Sequence, residues 1–129
     1  MHVHTADNAV PALDHDLAGL LEDLATVQDA GIDQILAGIR LLALSRHTAD
    51  RTQTLIATLA GASDGTNVIS AIGLLIARLA DAESNPGLRG LPLDRQKEAR
   101  LAGERACYAL TDPKLHQTAS DTSAAIDGS

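Results

Sequence analysis

The stretch from Ile32 to Leu59 constrains the fold most, because its apolar residues recur with helical spacing on more than one side. One side is a seam with seven-residue spacing, formed by Ile32, Ile35, Ile39, Leu42, Ala49 and Ile56. Leu41, Leu44 and Leu55 point in other directions around the same axis. A single neighbour could not cover all of these side chains, so the sequence predicts a long central helix with other helices packed around it.

A polar layer formed by Arg46 and Gln53 interrupts this central seam. Both residues fall at seam positions, where a charge is costly to bury without a partner. Arg46 could extend its charged end to water, which is the favoured interpretation, or pair with an acidic residue of the first helix, or bind an anionic ligand. Residues 46–52 contain neither Gly nor Pro, so we expect one helix that is bent at most, with a break as the alternative.

Three further helices are predicted around the central one. The first spans residues 10–27, the next begins at a cap of Thr66 or Asn67 and is ended by residues 84–87, and the last spans residues 94–110. The last of these has a narrow seam of Ala residues, which permits only close packing. The chain is rich in Ala and Leu, and no segment alternates polar and apolar residues as a half-buried strand would. The sequence therefore predicts an all-α protein, a four-helix bundle of mostly antiparallel helices with a long central second helix, spanning residues 10–110.

Both ends of the chain are predicted to lie outside this bundle. Residues 1–9 are small and polar, and we expect them to form a flexible N-terminus. Residues 111–129 consist largely of Ser, Thr, Ala and Asp and offer little apolar surface to bury. We expect this C-terminal tail to be disordered, because it cannot offset the entropy lost on ordering.

The charge and cysteine content indicate a cytoplasmic protein. The 129 residues carry a net charge of −7, and residues 1–39 contain seven acidic residues with no Lys or Arg. Cys107 is the single cysteine, which fits a reducing compartment. No basic segment precedes an apolar run at the N-terminus, and the longest apolar stretch is far below the roughly 20 residues that span a membrane. The preference for Arg over Lys, with abundant Ala, suggests a bacterial genome.

No motif specifies a reaction, and the candidate constellations have simpler interpretations. His2 and His4 are too few for a structural metal site. Ser45, His47 and Asp50 match a catalytic triad in composition only, since helical residues two apart point roughly 200° apart. We therefore expect no catalytic residue, no cofactor and no metal, and we predict that the chain is not an enzyme.

The area left uncovered on the central helix favours an interaction function. Leu41, Leu44 and Leu55 are predicted to form an interaction surface, and a homodimer is the commonest use of such a surface. The chain is interpreted as a non-catalytic helical interaction or assembly module that self-associates, with an unidentified protein as another possible partner. The alternatives are a small helical DNA-binding transcriptional regulator and a small-ligand-binding bundle. Nucleic acid is disfavoured because the pI is near 5.0 and the basic residues of the last helix scatter around its axis.

Overall fold

The structure is a computed structural model that describes residues 9–62 and 64–127, without the side chain of Asp127. Every regular element in those residues is helical, which confirms the predicted all-α class. The six α-helices are α1 (His15–Ala25), α2 (Ala30–Leu44), α3 (Ala49–Ile56), α4 (Val68–Leu79), α5 (Leu93–Leu110) and α6 (Pro113–Asp127). A π-helical turn (Ala57–Gly61) continues α3, and a 3₁₀ turn (Pro86–Leu88) lies between α4 and α5. Residues 1–8 of the predicted flexible N-terminus lie outside the described residues.

The chain divides into two compact units, Met1–His47 and Thr48–Ser129. The single domain over residues 10–110 stays a prediction, and the arrangement of four mostly antiparallel helices is not confirmed. The predicted long central helix is wrong, because α2 ends at Leu44 and α3 begins only at Ala49. The boundary between the two units therefore lies within the segment that the sequence suggested was one helix.

Side chains at the break supply the hydrogen bonds that a continued helix would otherwise make. The backbone N–H and the hydroxyl of Ser45 both donate to the carbonyl of Leu41, at 3.0 and 2.5 Å. The imidazole Nε2 of His47 lies 2.9 Å from the carbonyl oxygen of Leu42. Thr48 begins the next helix, since its hydroxyl accepts from the backbone N–H of Arg51 at 3.1 Å. These caps satisfy the helix ends without the Gly or Pro whose absence had favoured a continuous helix.

The first unit contains α1 and α2, joined by residues 26–29. Asp14 and Asp29 begin the two helices, because their carboxylates accept backbone N–H groups from Leu17 and Ile32. The two helices are in contact. Leu21, at 2% exposed, is the only large hydrophobic side chain of α1 that is buried, and Leu36 of α2 is 5% exposed. The unit therefore has a very small interior.

The second unit contains close contacts between α4 and α5. A Cβ atom added at Gly103 would lie 2.6 Å from the Cβ atom of Ala80, and one added at Gly73 would lie 3.2 Å from the Cβ atom of Leu110. Glycine on each helix thus allows the two backbones to approach closely. The narrow Ala-rich character of the last predicted helix is consistent with this kind of packing.

The prediction that residues 111–129 are disordered is wrong for residues 113–127, which form α6 in contact with α3 and the π-helical turn. A Cβ atom at Gly61 would lie 2.9 Å from backbone atoms of both Ala119 and Ser120. Small residues let the backbones meet at this distance. The hydroxyl of Ser123 donates to the carbonyl of Gln53 at 3.1 Å, so α6 is held partly by polar contacts that an apolar pattern does not reveal.

Candidate interaction surface

The three residues of the predicted interaction surface lie in two different units. Leu41 and Leu44 are on α2, with 67% and 42% of their surfaces exposed. Leu55 is half-buried on α3, in the second unit. Because the helix breaks between Leu44 and Ala49, these three side chains do not share one helical surface. Of the three predicted residues, Leu41 and Leu44 therefore belong to the first unit and Leu55 does not.

A second set of exposed apolar residues in the first unit is more regular. Leu20 and Leu24 of α1 are 56% and 40% exposed, and Ile35 and Ile39 of α2 are 45% and 37% exposed. We call these four residues the apolar seam. In each helix one seam residue comes directly before the buried leucine and the other comes three positions after it. The two helices therefore expose the same pattern relative to their buried residue.

The apolar seam and Leu41 lie on different sides of α2. Successive residues of an α-helix are rotated by roughly 100°, so Leu41 points roughly 160° away from Ile39. The seam is bordered by Ile32 and Leu42, both half-buried, which continue the three-and-four spacing along the helix. The first unit thus has an extended apolar side, and the exposed Leu41 and Leu44 lie on the opposite side of α2.

Arg46 and Gln53 do not form a layer within one helix. Arg46 is exposed in the connection between α2 and α3. Gln53 is half-buried on α3, and its backbone carbonyl accepts the hydrogen bond from Ser123. Because the helix breaks between α2 and α3, the two residues do not lie on one seam. The polar layer had been predicted from that shared seam.

The polar residues of the rejected triad have structural partners. The Ser45 hydroxyl is bonded to the Leu41 carbonyl, and the His47 imidazole is bonded to the Leu42 carbonyl. Both groups therefore complete the end of α2.

Cys107 is half-buried on α5, where its Cα atom would lie 3.4 Å from a Cβ atom at Gly73. His2 and His4 lie outside the described residues.

The second unit contains a buried polar cluster that no pattern in the sequence predicted. His116 of α6 is 5% exposed, and Asn67, which begins α4, is 8% exposed. The Asn67 Oδ1 atom accepts the backbone N–H of Ser70 at 2.9 Å, and its Nδ2 atom lies 3.1 Å from the His116 Nδ1 atom. The His116 Nε2 atom lies 2.6 Å from the carbonyl oxygen of Leu110. The cluster joins α4, the end of α5 and α6.

The hydrogen bonds assign which ring nitrogen of His116 carries the proton. A carbonyl can only accept, so Nε2 of His116 carries the proton, and Nδ1 then accepts from the amide of Asn67. Both ring nitrogens are engaged, which indicates that His116 fastens α6 to α4 and α5. The contact joins residues 49 positions apart, so no local pattern pointed to it. The sequence indicated only that Asn67 was one of two candidate caps of α4, with Thr66 as the other.

A cleft of about 250 Å³ opens beside this cluster. Its lining includes Gly61, Asp64, His116 and Ser120. The backbone N–H of Thr66 donates to the carboxylate of Asp64 at 2.9 Å and holds the pKa of Asp64 below its ordinary value. Asp64 thus remains ionised at neutral pH, where it closes the turn before α4.

The basic residues of α5 are partly neutralised by acidic neighbours on the same helix. Nη1 of Arg100 lies 3.0 Å from Oε1 of Glu104, one turn further along, in an exposed ion pair. Such a pair contributes little to stability but lowers the positive charge available to an anionic partner.

Among the described residues, no helix has both the length and the apolar composition needed to cross a membrane.

Comparisons of the chain with protein-family models, with curated proteins and with solved structures found no match.

Proposed function

We propose that this chain is a non-catalytic helical interaction module of the bacterial cytoplasm and that it self-associates. The observation that supports the proposal is the imbalance in the first unit between buried and exposed apolar side chains. Leu21 and Leu36 are its buried large hydrophobic residues, whereas the four residues of the apolar seam are all more than a third exposed. Exposed apolar surface of this kind is typical of a contact with another protein.

Burial of the exposed seam residues would contribute favourable free energy to association. Full burial of an exposed Leu or Ile is worth about 1.5–3 kcal/mol, so a residue that is half exposed can still contribute about 1 kcal/mol. Four seam residues on each of two copies then contribute roughly 8 kcal/mol before the cost of association. The loss of translational and rotational freedom and the ordering of side chains offset much of this gain, so the expected complex is weak and reversible.

The test is the mass of the full-length chain in solution as a function of concentration. Light scattering coupled to size exclusion, from about 1 to 200 μM, is expected to show a shift from the 13.4 kDa monomer towards twice that mass. A monomer throughout this range would contradict self-association. Sedimentation equilibrium on the same samples gives the dissociation constant.

The rival functions can be tested in the same preparation. Titration with generic duplex DNA at low salt separates an interaction module from a DNA-binding regulator, because the regulator would show salt-sensitive binding. The pairing of Arg100 with Glu104 favours the interaction module. For the small-ligand alternative, the cleft beside His116 is the nearest candidate, but both ring nitrogens of His116 are already engaged within the protein.

A further inference from the structure

We propose that the apolar seam of the first unit is the surface of self-association and that it pairs with the same seam of a second copy, to form a bundle of four helices between two chains. This inference rests on the proposed self-association and specifies its surface, partner and alignment. The second copy is the occupant because the seam has the features that a two-fold interface requires. Those features are a matching pattern on both helices, a contiguous apolar area and charges that distinguish between the two possible alignments.

The pattern on the two helices would place all seam residues on one side of the pair. Residues 26–29 form a short connection, and short connections join helices that run in opposite directions. Leu20 and Leu24 have the same positions relative to buried Leu21 as Ile35 and Ile39 have relative to buried Leu36. In two antiparallel helices that face each other through their buried leucines, equal offsets lead to the same side of the pair. The pair of helices would then be half of a four-helix bundle.

The area fits a weak, reversible dimer. Two helices side by side are roughly 20 Å wide, and the 15 residues of α2 are roughly 22 Å long at 1.5 Å per residue. This gives roughly 440 Å² on each partner, about half of the roughly 800 Å² that a standard specific interface buries. Interfaces of this size belong to transient complexes, so the expected dimer forms and dissociates readily.

The charges of the first unit select the alignment of the two copies. Its end at the connection between α1 and α2 carries Glu22, Asp23, Asp29 and Asp33 and no basic residue. At the opposite end, Asp14 and Asp16 are balanced by Arg40 and Arg46. A dimer with both connections at the same end would bring eight carboxylates together. A two-fold dimer in which the two units run in opposite directions instead places each acidic end beside the balanced end of the other copy.

The first experiment compares seam variants with a matched control on the other side of α2. Leu20→Glu and Ile35→Glu place a charge on the two most exposed seam positions, and Leu41→Glu places the same charge on the opposite side. The seam variants are expected to weaken the dimer at least about tenfold, whereas Leu41→Glu is expected to change its dissociation constant by less than about threefold. Circular dichroism at the same concentrations verifies that the variants remain helical.

The outcomes separate this inference from the proposed function. If the wild type dimerises and Leu41→Glu alone weakens the dimer, self-association stands and the seam is not its surface. If all three variants dimerise like the wild type, the contact lies elsewhere in the chain and the inference is overturned. A wild type that is monomeric up to about 200 μM contradicts the proposed function itself.

The second experiment measures the alignment and does not depend on destabilising variants. In a Cys107→Ser background, a nitroxide label at Gln28→Cys marks the connection between α1 and α2. A two-fold dimer whose units run in opposite directions separates the two labels by at least the length of α2, roughly 22 Å. A label distance below about 15 Å would place both connections at the same end and overturn the proposed alignment. A dimer without any dipolar coupling below about 60 Å would exclude the seam as the interface, because no part of two seam-paired units is that far apart.

Discussion

At the scale of single residues, glycine decides how closely the helices of the second unit approach. Gly61, Gly73 and Gly103 all lie where a Cβ atom would come within 3.2 Å of an atom of a neighbouring helix. At Gly38 of α2, in contrast, a Cβ atom would have no atom within 4 Å beyond its own chain neighbours and helix backbone. Glycines with similar neighbours in the sequence therefore have different structural roles. Gly61, Gly73 and Gly103 permit close packing of helices, whereas Gly38 only lowers the stability of its own helix.

We predict that Gly103→Ala destabilises the protein, because its Cβ atom would lie 2.6 Å from the Cβ atom of Ala80, which is fixed to the backbone. The helices would have to separate, and the loss in the free energy of unfolding is expected to be about 1–3 kcal/mol. Gly38→Ala is the matched control. It is expected to raise that free energy by about 0.5–1 kcal/mol through helix propensity alone. Urea denaturation measures both, and equal effects of the two variants would contradict the close contact.

We also predict that Asn67→Ala costs more than an ordinary helix cap. The substitution removes the acceptor for the Ser70 N–H and the donor to His116 Nδ1, so the expected loss is about 2 kcal/mol or more. Asn67→Ser keeps a capping hydroxyl but cannot reach His116, and it should lose about 1 kcal/mol less than Asn67→Ala. A loss below about 0.5 kcal/mol for Asn67→Ala would show that the cluster does not hold α6.

At the scale of helices, α6 is an integral part of the second unit. Its contacts with α3 and the π-helical turn combine the close approach at Gly61 with the hydrogen bonds of His116 and Ser123. The helix has few large apolar side chains, so its position depends on geometry and polar contacts. A pattern of hydrophobic residues could not have identified it.

We predict that a chain ending at Asp112 is less stable than the full-length chain. Its second unit would expose the packed side of Gly61 and leave the Asn67 amide without His116. The expected loss exceeds about 2 kcal/mol, which corresponds to roughly 8 °C or more in Tm. Scanning calorimetry measures the difference. An unchanged Tm would mean that residues 113–129 contribute nothing to the fold, as the sequence alone had suggested.

At the scale of the whole molecule, the chain consists of two units with a boundary between His47 and Thr48. The connection is not helical at Arg46, where the side chain is exposed. Arg89 also lies in a connection, within the second unit, where its guanidinium donates to the carbonyls of Ala82 and Glu83. Of the two arginines, Arg46 lies at the boundary between the units.

We predict that limited trypsin digestion cuts first after Arg46 and divides the chain into two fragments, residues 1–46 and 47–129. Proteases cut most readily in exposed segments that lie between compact units. Mass spectrometry of a time course identifies the first cut. The control is Arg46→Gln, which should slow the appearance of both fragments, and a first cut after Arg89 would contradict the division into units.

The sequence by itself determined the helical class and several helix starts. Ala and Leu content, the absence of strand-like alternation and the capping residue Asn67 depend only on local propensities and short-range hydrogen bonds, which are readable along the chain. Exposed apolar residues on α2 could also be anticipated. The spacing of its leucines and isoleucines covers more than one side of the helix, and spacing is a local property.

Only the tertiary structure decided where the central helix breaks, what residues 113–127 do and which residues form the buried cluster. Ser45, His47 and Thr48 can sit within a helix or cap its ends, and the difference in free energy between these states is small enough for packing to select one. The Asn67–His116 pair and the contact at Gly61 join distant parts of the chain. Such contacts depend on backbone approach between helices, because a glycine has no side chain whose pattern could reveal its neighbour.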